Sequence, residues 1–218
     1  MSNSRRNMLK GIALSSAALA ASTVVSGCAS NESNEIDNNA NQPGVAKFKG
    51  NINHSVARWT YGDLSIEELC QVVQSLGFSA IDLIGPEGWP ILKRYGIDSS
   101  MCNGAELNLV DGFIHPKFHD ELEKRYLKHI DLVAQAGYKN LICFSGNARG
   151  MSKEQGLKNA VAGLKRILPY AEEKGVVIQM ELFNSKVDHP DYMADLTKWG
   201  VDLCEATGAE EFKLLYDI

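Results

Sequence analysis

Val176-Val177-Ile178-Gln179-Met180-Glu181-Leu182 and, further on, Phe212-Lys213-Leu214-Leu215-Tyr216-Asp217 decide how this chain reads. Both are short apolar runs that end at a carboxylate. Side chains alternate along a strand. In the first run Val177, Gln179 and Glu181 share one face, while Val176, Ile178, Met180 and Leu182 share the other. In the second, Lys213, Leu215 and Asp217 oppose Phe212, Leu214 and Tyr216. A wholly apolar face suits packing under helices. A mixed face suits an interior that turns polar toward one end. Glu181 and Asp217 therefore fall on matching faces at matching ends of successive strands. A lone carboxylate at a strand end more often caps a loop, but two in register favour a shared site. Their hard oxygens suit a divalent cation.

Working outward, the chain alternates strand and helix. Ile52 to Val56 is a candidate first strand. Ser65 to Leu76 reads as an amphipathic helix, with Ile66, Leu69, Val72, Val73 and Leu76 on one face, a Ser65/Glu68 capping box and Gly77 as its stop. Ala80 to Ile84 is the second strand. The third, near Met101 to Ala105, lies in an irregular stretch. Phe118, Leu122, Tyr126, Ile130 and Val133 mark a helix stopped by Gly137, and Leu141 to Phe144 follows as a strand. Ser152 and Gln155 form another capping box, opening a helix through Leu157, Val161, Leu164 and Leu168 to Gly175. A helix from about Asp191 to Ala206 separates the two opening runs. The recurring order of helix, glycine, strand predicts right-handed βα units and a parallel sheet. No G-x-G-x-x-G follows the first strand, which leaves a dinucleotide-binding sheet with little support. Six strands are expected where a closed (β/α)8 barrel has eight, so the barrel is expected to be C-terminally truncated, an open six-stranded sheet being the alternative.

Residues 1–29 read as an address. Arg5-Arg6 with Met8, Leu9 and Lys10 precedes a short Ala- and Ser-rich apolar stretch, similar to a twin-arginine export signal. Val25-Ser26-Gly27-Cys28 resembles a lipobox, with Cys28 as the lipidated residue. Residues 30–48 form a polar tether, rich in Asn and Ser up to Gly44. The expected location is the periplasm, on a lipid anchor. Residues 49–218 form one globular domain. The net charge of −5 offers no basic footprint for nucleic acid. Cys70, Cys102, Cys143 and Cys204 lack C-x-x-C spacing and are expected to be mostly free, buried thiols.

Met180-Glu181-Leu182-Phe183-Asn184-Ser185-Lys186-Val187-Asp188-His189 and Phe212 to Ile218 resemble the hydroxypyruvate isomerase family of xylose isomerase-like TIM barrels. So do Asn53 to Trp59, Ile81 to Pro86 and Cys143 to Met151. The resemblance implies a divalent ion, Mg²⁺ or Mn²⁺, held by Glu181 and Asp217, with further ligands and a second catalytic Glu on strands beyond Ile218. It implies isomerisation of a small α-hydroxy ketone through an enediolate, with Glu181 as ligand and acid/base. A sugar epimerase or dehydratase, and a non-catalytic exported binding lipoprotein, stay open as alternatives.

The resemblance places His54 after the first strand, as a candidate for lining the substrate pocket, with a structural role weighed equally. Arg149, in a loop after a strand, is a candidate for gripping a carboxylate. Asn184 and Lys186, just past Glu181, are candidates for orienting substrate. Trp59 is weighed as structural before substrate-lining, and His189 is expected at the surface. His115, His119 and His129 show no metal spacing and receive no site. The partners expected are a small-molecule substrate and a membrane through the lipid anchor alone; a homo-oligomer stays open. With two units expected to be missing, the isolated 218-residue chain should fold poorly. Chemical denaturation checks this, and a single cooperative transition would contradict it.

Overall fold

A computed structural model describes residues 52–215 of the chain. The expected export leader and tether, Cys28 and Asp217 lie outside the described residues. Strands β1 (Ser55–Ala57), β2 (Ala80–Asp82), β3 (Asp98–Ser99), β4 (Asn140–Cys143), β5 (Val177–Glu181) and β6 (Phe212–Leu215) alternate with helices. The helices are α1 (Ile66–Ser75), α2 (Trp89–Arg94), α3 (His119–Ala136), α4 (Lys153–Leu164), α5 (Leu168–Lys174) and α6 (Thr197–Thr207). All strand pairs are parallel, in the orders β1-β2-β3 and β4-β5-β6. Cys102 joins the two sheets with isolated parallel bridges to Ile84 and Leu141. Its N–H donates to the Asn140 carbonyl at 2.9 Å, and its own carbonyl accepts from Ile142 at 3.0 Å. The six strands thus run in sequence order around one arc, the wall of a (β/α) barrel.

The strand faces follow the alternation. In β5, Ile178 and Met180 are buried against the helices, while Val177, Gln179 and Glu181 are half-buried on the inner side. Leu141 and Ile142 of β4 and Tyr126 of α3 are fully buried beside them. The Tyr126 hydroxyl donates to the Ile142 carbonyl at 2.9 Å, so the ring adds apolar area without leaving a polar atom unpaired. All four described cysteines are free thiols, and burial pushes Cys102 up to about 11. Among the described residues no helix is long and apolar enough to cross a membrane.

Several elements differ from the expectation. β1 starts at Ser55 rather than Ile52. The third strand is Asp98–Ser99 rather than Met101 to Ala105; beyond the bridge at Cys102 the chain leaves the sheet to cross the strand ends. Helix α2 escapes the sequence pattern because six residues carry too little periodicity. The helix expected from Ser152 to Gly175 is two, α4 and α5, because Pro169 lacks an N–H and clashes with the carbonyl four residues back. Its capping box is one-sided: Ser152 Oγ accepts the Gln155 N–H at 3.2 Å, but the Gln155 amide turns to Asn159 Oδ1 at 2.7 Å. The Ser65/Glu68 box forms in both directions. The helix expected from Asp191 starts only at Thr197, because the Met193 N–H donates to Gly146 and the Phe183 N–H to Ala194. That segment is tied to the ends of β4 and β5 instead of coiling.

Gly112 packs backbone to backbone under the loop after β4. A Cβ there would meet the Phe144 carbonyl and, at 2.6 Å, the amide nitrogen of Gly146. Gly112→Ala is expected to destabilise the fold by about 2–3 kcal/mol in urea denaturation. Gly62→Ala meets only the Trp59 carbonyl at 3.8 Å and should change stability by less than about 0.5 kcal/mol.

Candidate functional site

The carboxyl ends of the strands open on a cavity of about 500 Å³ lined by Ala57, Asp82, Ile142, Gln179 and Glu181, among others. Its polar floor is one connected chain of hydrogen bonds. The Asp82 carboxylate accepts from Ser55 Oγ at 2.8 Å and from Ser100 Oγ. The Ser100 carbonyl accepts from Asn140 Nδ2 at 2.8 Å, and Asn140 Oδ1 accepts from Gln179 Nε2 at 2.8 Å. The chain links side chains on β1, β2, β4 and β5, and each bond fixes the orientation of the next. The mixed inner face read from the sequence is therefore a built polar surface.

Glu181 is the last residue of β5, half-buried, and it also lines a second cavity of about 630 Å³. Phe144, Phe183, Asn184, Asp188 and His189 line the same space. The Phe183 ring stacks on His189 at 4.3 Å and meets Tyr192 edge-on at 4.6 Å. Tyr192 sets the height of Glu181. Its hydroxyl accepts the Ser145 N–H at 3.0 Å and donates to the Glu181 carbonyl at 3.2 Å. Burial drives that hydroxyl's pKa far above the ordinary tyrosine range, so it stays a neutral link between the ends of β4 and β5.

Leu83, immediately after β2, lines both cavities and has a left-handed backbone, φ 59°. A bulky residue there costs about 1 kcal/mol or more, and such strain persists only where neighbours enforce it. The Leu83 N–H donates to the Met101 carbonyl at 2.7 Å. Trp59, 73% exposed, lines both cavities beside it.

The other expected residues divide. Asn184 lines the second cavity, and its Oδ1 accepts the Lys186 N–H at 2.9 Å. Lys186 itself is exposed and lines neither cavity. His54 precedes β1 instead of following it. Its carbonyl accepts the Ser79 N–H at 3.2 Å and its ring stacks on Phe78 at 5.4 Å, at the end of the sheet away from Glu181. Arg149 lines neither cavity. Its guanidinium donates to Asp111 Oδ1 at 2.6 Å and holds the Asp111 carboxyl below its usual range. Its N–H donates to Asp191 Oδ2 at 3.0 Å, so this arginine locks two loops together. His189 is not a plain surface residue, since it lines the outer cavity. Phe183 and His189 were missed because aromatic residues after a strand end carry no periodic signal. His115 and His119 each place Nε2 on a backbone carbonyl, Asn147 at 2.9 Å and Phe113 at 2.8 Å, which gives them structural roles.

Among the described residues no three His, Cys, Asp or Glu side chains cluster as a metal site. Of the two ligands the resemblance names, Glu181 is the one within the described residues, and it presents a hard oxygen donor there. The donor type fits a divalent cation; the described residues do not complete a coordination shell.

Residues 48–218 match the family described as xylose isomerase-like TIM barrel, and the chain belongs to that family. Solved structures share the fold. An AP endonuclease, family 2, from Brucella melitensis superposes with a TM-score of 0.64 at 11% identity, covering 77% of this chain and 69% of its own. The IolI protein with a bound zinc atom gives 0.62 at 14%, covering 75% and 62%. The 3-keto-D-glucoside 4-epimerase YcjR from E. coli gives 0.58 at 14%, covering 75% and 67%. The chain thus spans about two thirds of the length of these proteins. No curated protein sequence shows significant similarity to it.

Tyr192→Phe would leave the buried Ser145 N–H without its acceptor. The substitution should cost about 1–3 kcal/mol in chemical denaturation.

Proposed function

We propose that this chain carries the Glu181 side of a metal-dependent isomerase acting on a small α-hydroxy ketone or sugar-like substrate, of the hydroxypyruvate isomerase type. The observation that carries the reading is the position of Glu181, at the carboxyl end of an inner-facing strand and at the edge of a polar cavity. Catalytic groups of barrel enzymes stand at that end. A Mg²⁺ or Mn²⁺ ion held by Glu181 and Asp217 would act as a Lewis acid toward neighbouring carbonyl and hydroxyl oxygens.

In this reading the Glu181 carboxylate takes the proton from the carbon beside the carbonyl, leaving an enediolate, and acts again as an acid when a proton returns. Asp82, Asn140 and Gln179 offer hydrogen-bonding groups to the substrate's hydroxyls. Tyr192 keeps the carboxylate's backbone from shifting. Epimerisation begins with the same proton removal but returns a proton to the same carbon on its opposite face, whereas isomerisation places it on the former carbonyl carbon. The structural likeness to a D-psicose 3-epimerase, TM-score 0.59 at 13% identity, gives that second reading its support. Arg5-Arg6 and Cys28 favour work outside the cytoplasm on a lipid anchor.

Mn²⁺ titration of the full-length protein tests the reading. Glu181→Gln should weaken Mn²⁺ by about tenfold or more, since even residues that only support metal ligands cost that much. Equal affinity in both proteins would remove the enzyme reading in favour of a binding lipoprotein.

A further inference from the structure

The chain has five histidines, and the fold itself uses four of them. His115, His119 and His129 each place a ring nitrogen on a backbone carbonyl, and His54 stacks on Phe78 at the far end of the sheet. His189 differs. Among the described residues its ring nitrogens have no hydrogen-bond partner, yet neither is sealed in the interior. The ring is nevertheless held in place. It stacks on Phe183 at 4.3 Å and meets Tyr192 at 6.4 Å. Its backbone N–H donates to the Asn184 carbonyl at 3.0 Å, and its carbonyl accepts the Tyr192 N–H at 3.0 Å. Tyr192 also bonds the Glu181 carbonyl, so one residue ties down both. His189 and Glu181 line the same outer cavity. Asn184 and the exposed Asp188 supply its amide and its other carboxylate.

Isomerising an α-hydroxy ketone moves two protons. One passes between carbons, and Glu181 carries it in the isomerase reading on which this inference rests. The other passes from the hydroxyl oxygen to the former carbonyl oxygen. Without it the enediolate regains a proton only at the carbon that lost one, which is exchange or epimerisation. Imidazole is the side chain suited both to taking and to giving a proton near neutral pH. We propose that His189 carries this second proton. Once Glu181 has removed the carbon proton, one ring nitrogen takes the proton of the hydroxyl oxygen and gives it to the former carbonyl oxygen. An O–H bond breaks at one oxygen and forms at the other. The negative charge moves the opposite way, and no oxidant or reductant enters. His189 is thus the residue that makes the site an isomerase rather than an epimerase.

Two rates measured side by side test this. The full-length protein, with Mn²⁺ supplied, is incubated in D₂O with hydroxypyruvate and, separately, with dihydroxyacetone. NMR follows deuterium uptake at the carbon beside the carbonyl and conversion to the isomeric aldehyde. His189→Gln should keep uptake within about threefold of native while slowing conversion about 100-fold, the size of one positioned acid/base. The retained uptake is itself the sign that the site is folded. In His189→Ala, added imidazole should raise conversion about tenfold by standing in for the missing acid/base, which a ring needed only for packing would not allow. Uptake and conversion falling together, conversion unchanged in His189→Gln, or no gain from imidazole would each overturn the proposal and leave the isomerase reading in place. No uptake by the native protein with either ketone would sink that reading, and the part given to His189 with it.

Discussion

The pairing of β5 between β4 and β6 is the constraint on which the site depends. Its register sets Cys143 against Met180 and Glu181 against Leu215. Because side chains alternate, a slip of one residue would turn Glu181 and Gln179 into the helical layer and bring Ile178 and Met180 to the mouth. The slip is opposed from both sides. Ile178 and Met180 fill the buried layer, and Tyr192 ties the Glu181 carbonyl to the Ser145 amide at the open end. One neutral hydroxyl, kept neutral by burial, thus fixes where a carboxylate stands.

The polar floor extends the same logic sideways. Asp82, Asn140 and Gln179 come from the strands and Ser100 from just beyond β3, and they satisfy one another, so the interior tolerates polar groups at little net cost. The outer wall is built differently. The Phe183 N–H donates to Ala194, and the segment from Asp191 to Leu196 stays non-helical across the strand ends. That segment places Tyr192 in the core and leaves the Phe183 and His189 rings stacked at the rim. A helix starting at Asp191 would have removed both features.

How much was legible in the sequence follows from the range of each interaction. The alternation in Val177 to Glu181 and the apolar stripe of α3 are local, and both appear as read. The break at Pro169 was also local, but the apolar pattern continued across it and concealed it. The start of α6, the end to which His54 belongs and the partner of Arg149 depend on contacts between residues far apart in sequence, and no periodicity encodes those. The resemblance supplied the correct fold for the same reason that it misplaced His54. It carries topology faithfully, while the bounds of a three-residue strand depend on local pairing.

The central claim is that the Glu181 carboxylate moves a proton at the mouth of this barrel. Hydrogen exchange tests it most directly. The full-length protein, its Mn²⁺ supplied, is incubated in D₂O with an α-hydroxy ketone, and NMR follows the carbon beside the carbonyl. The account predicts deuterium uptake at that carbon with the native protein and none above background with Glu181→Gln. Uptake at equal rates in both would contradict it.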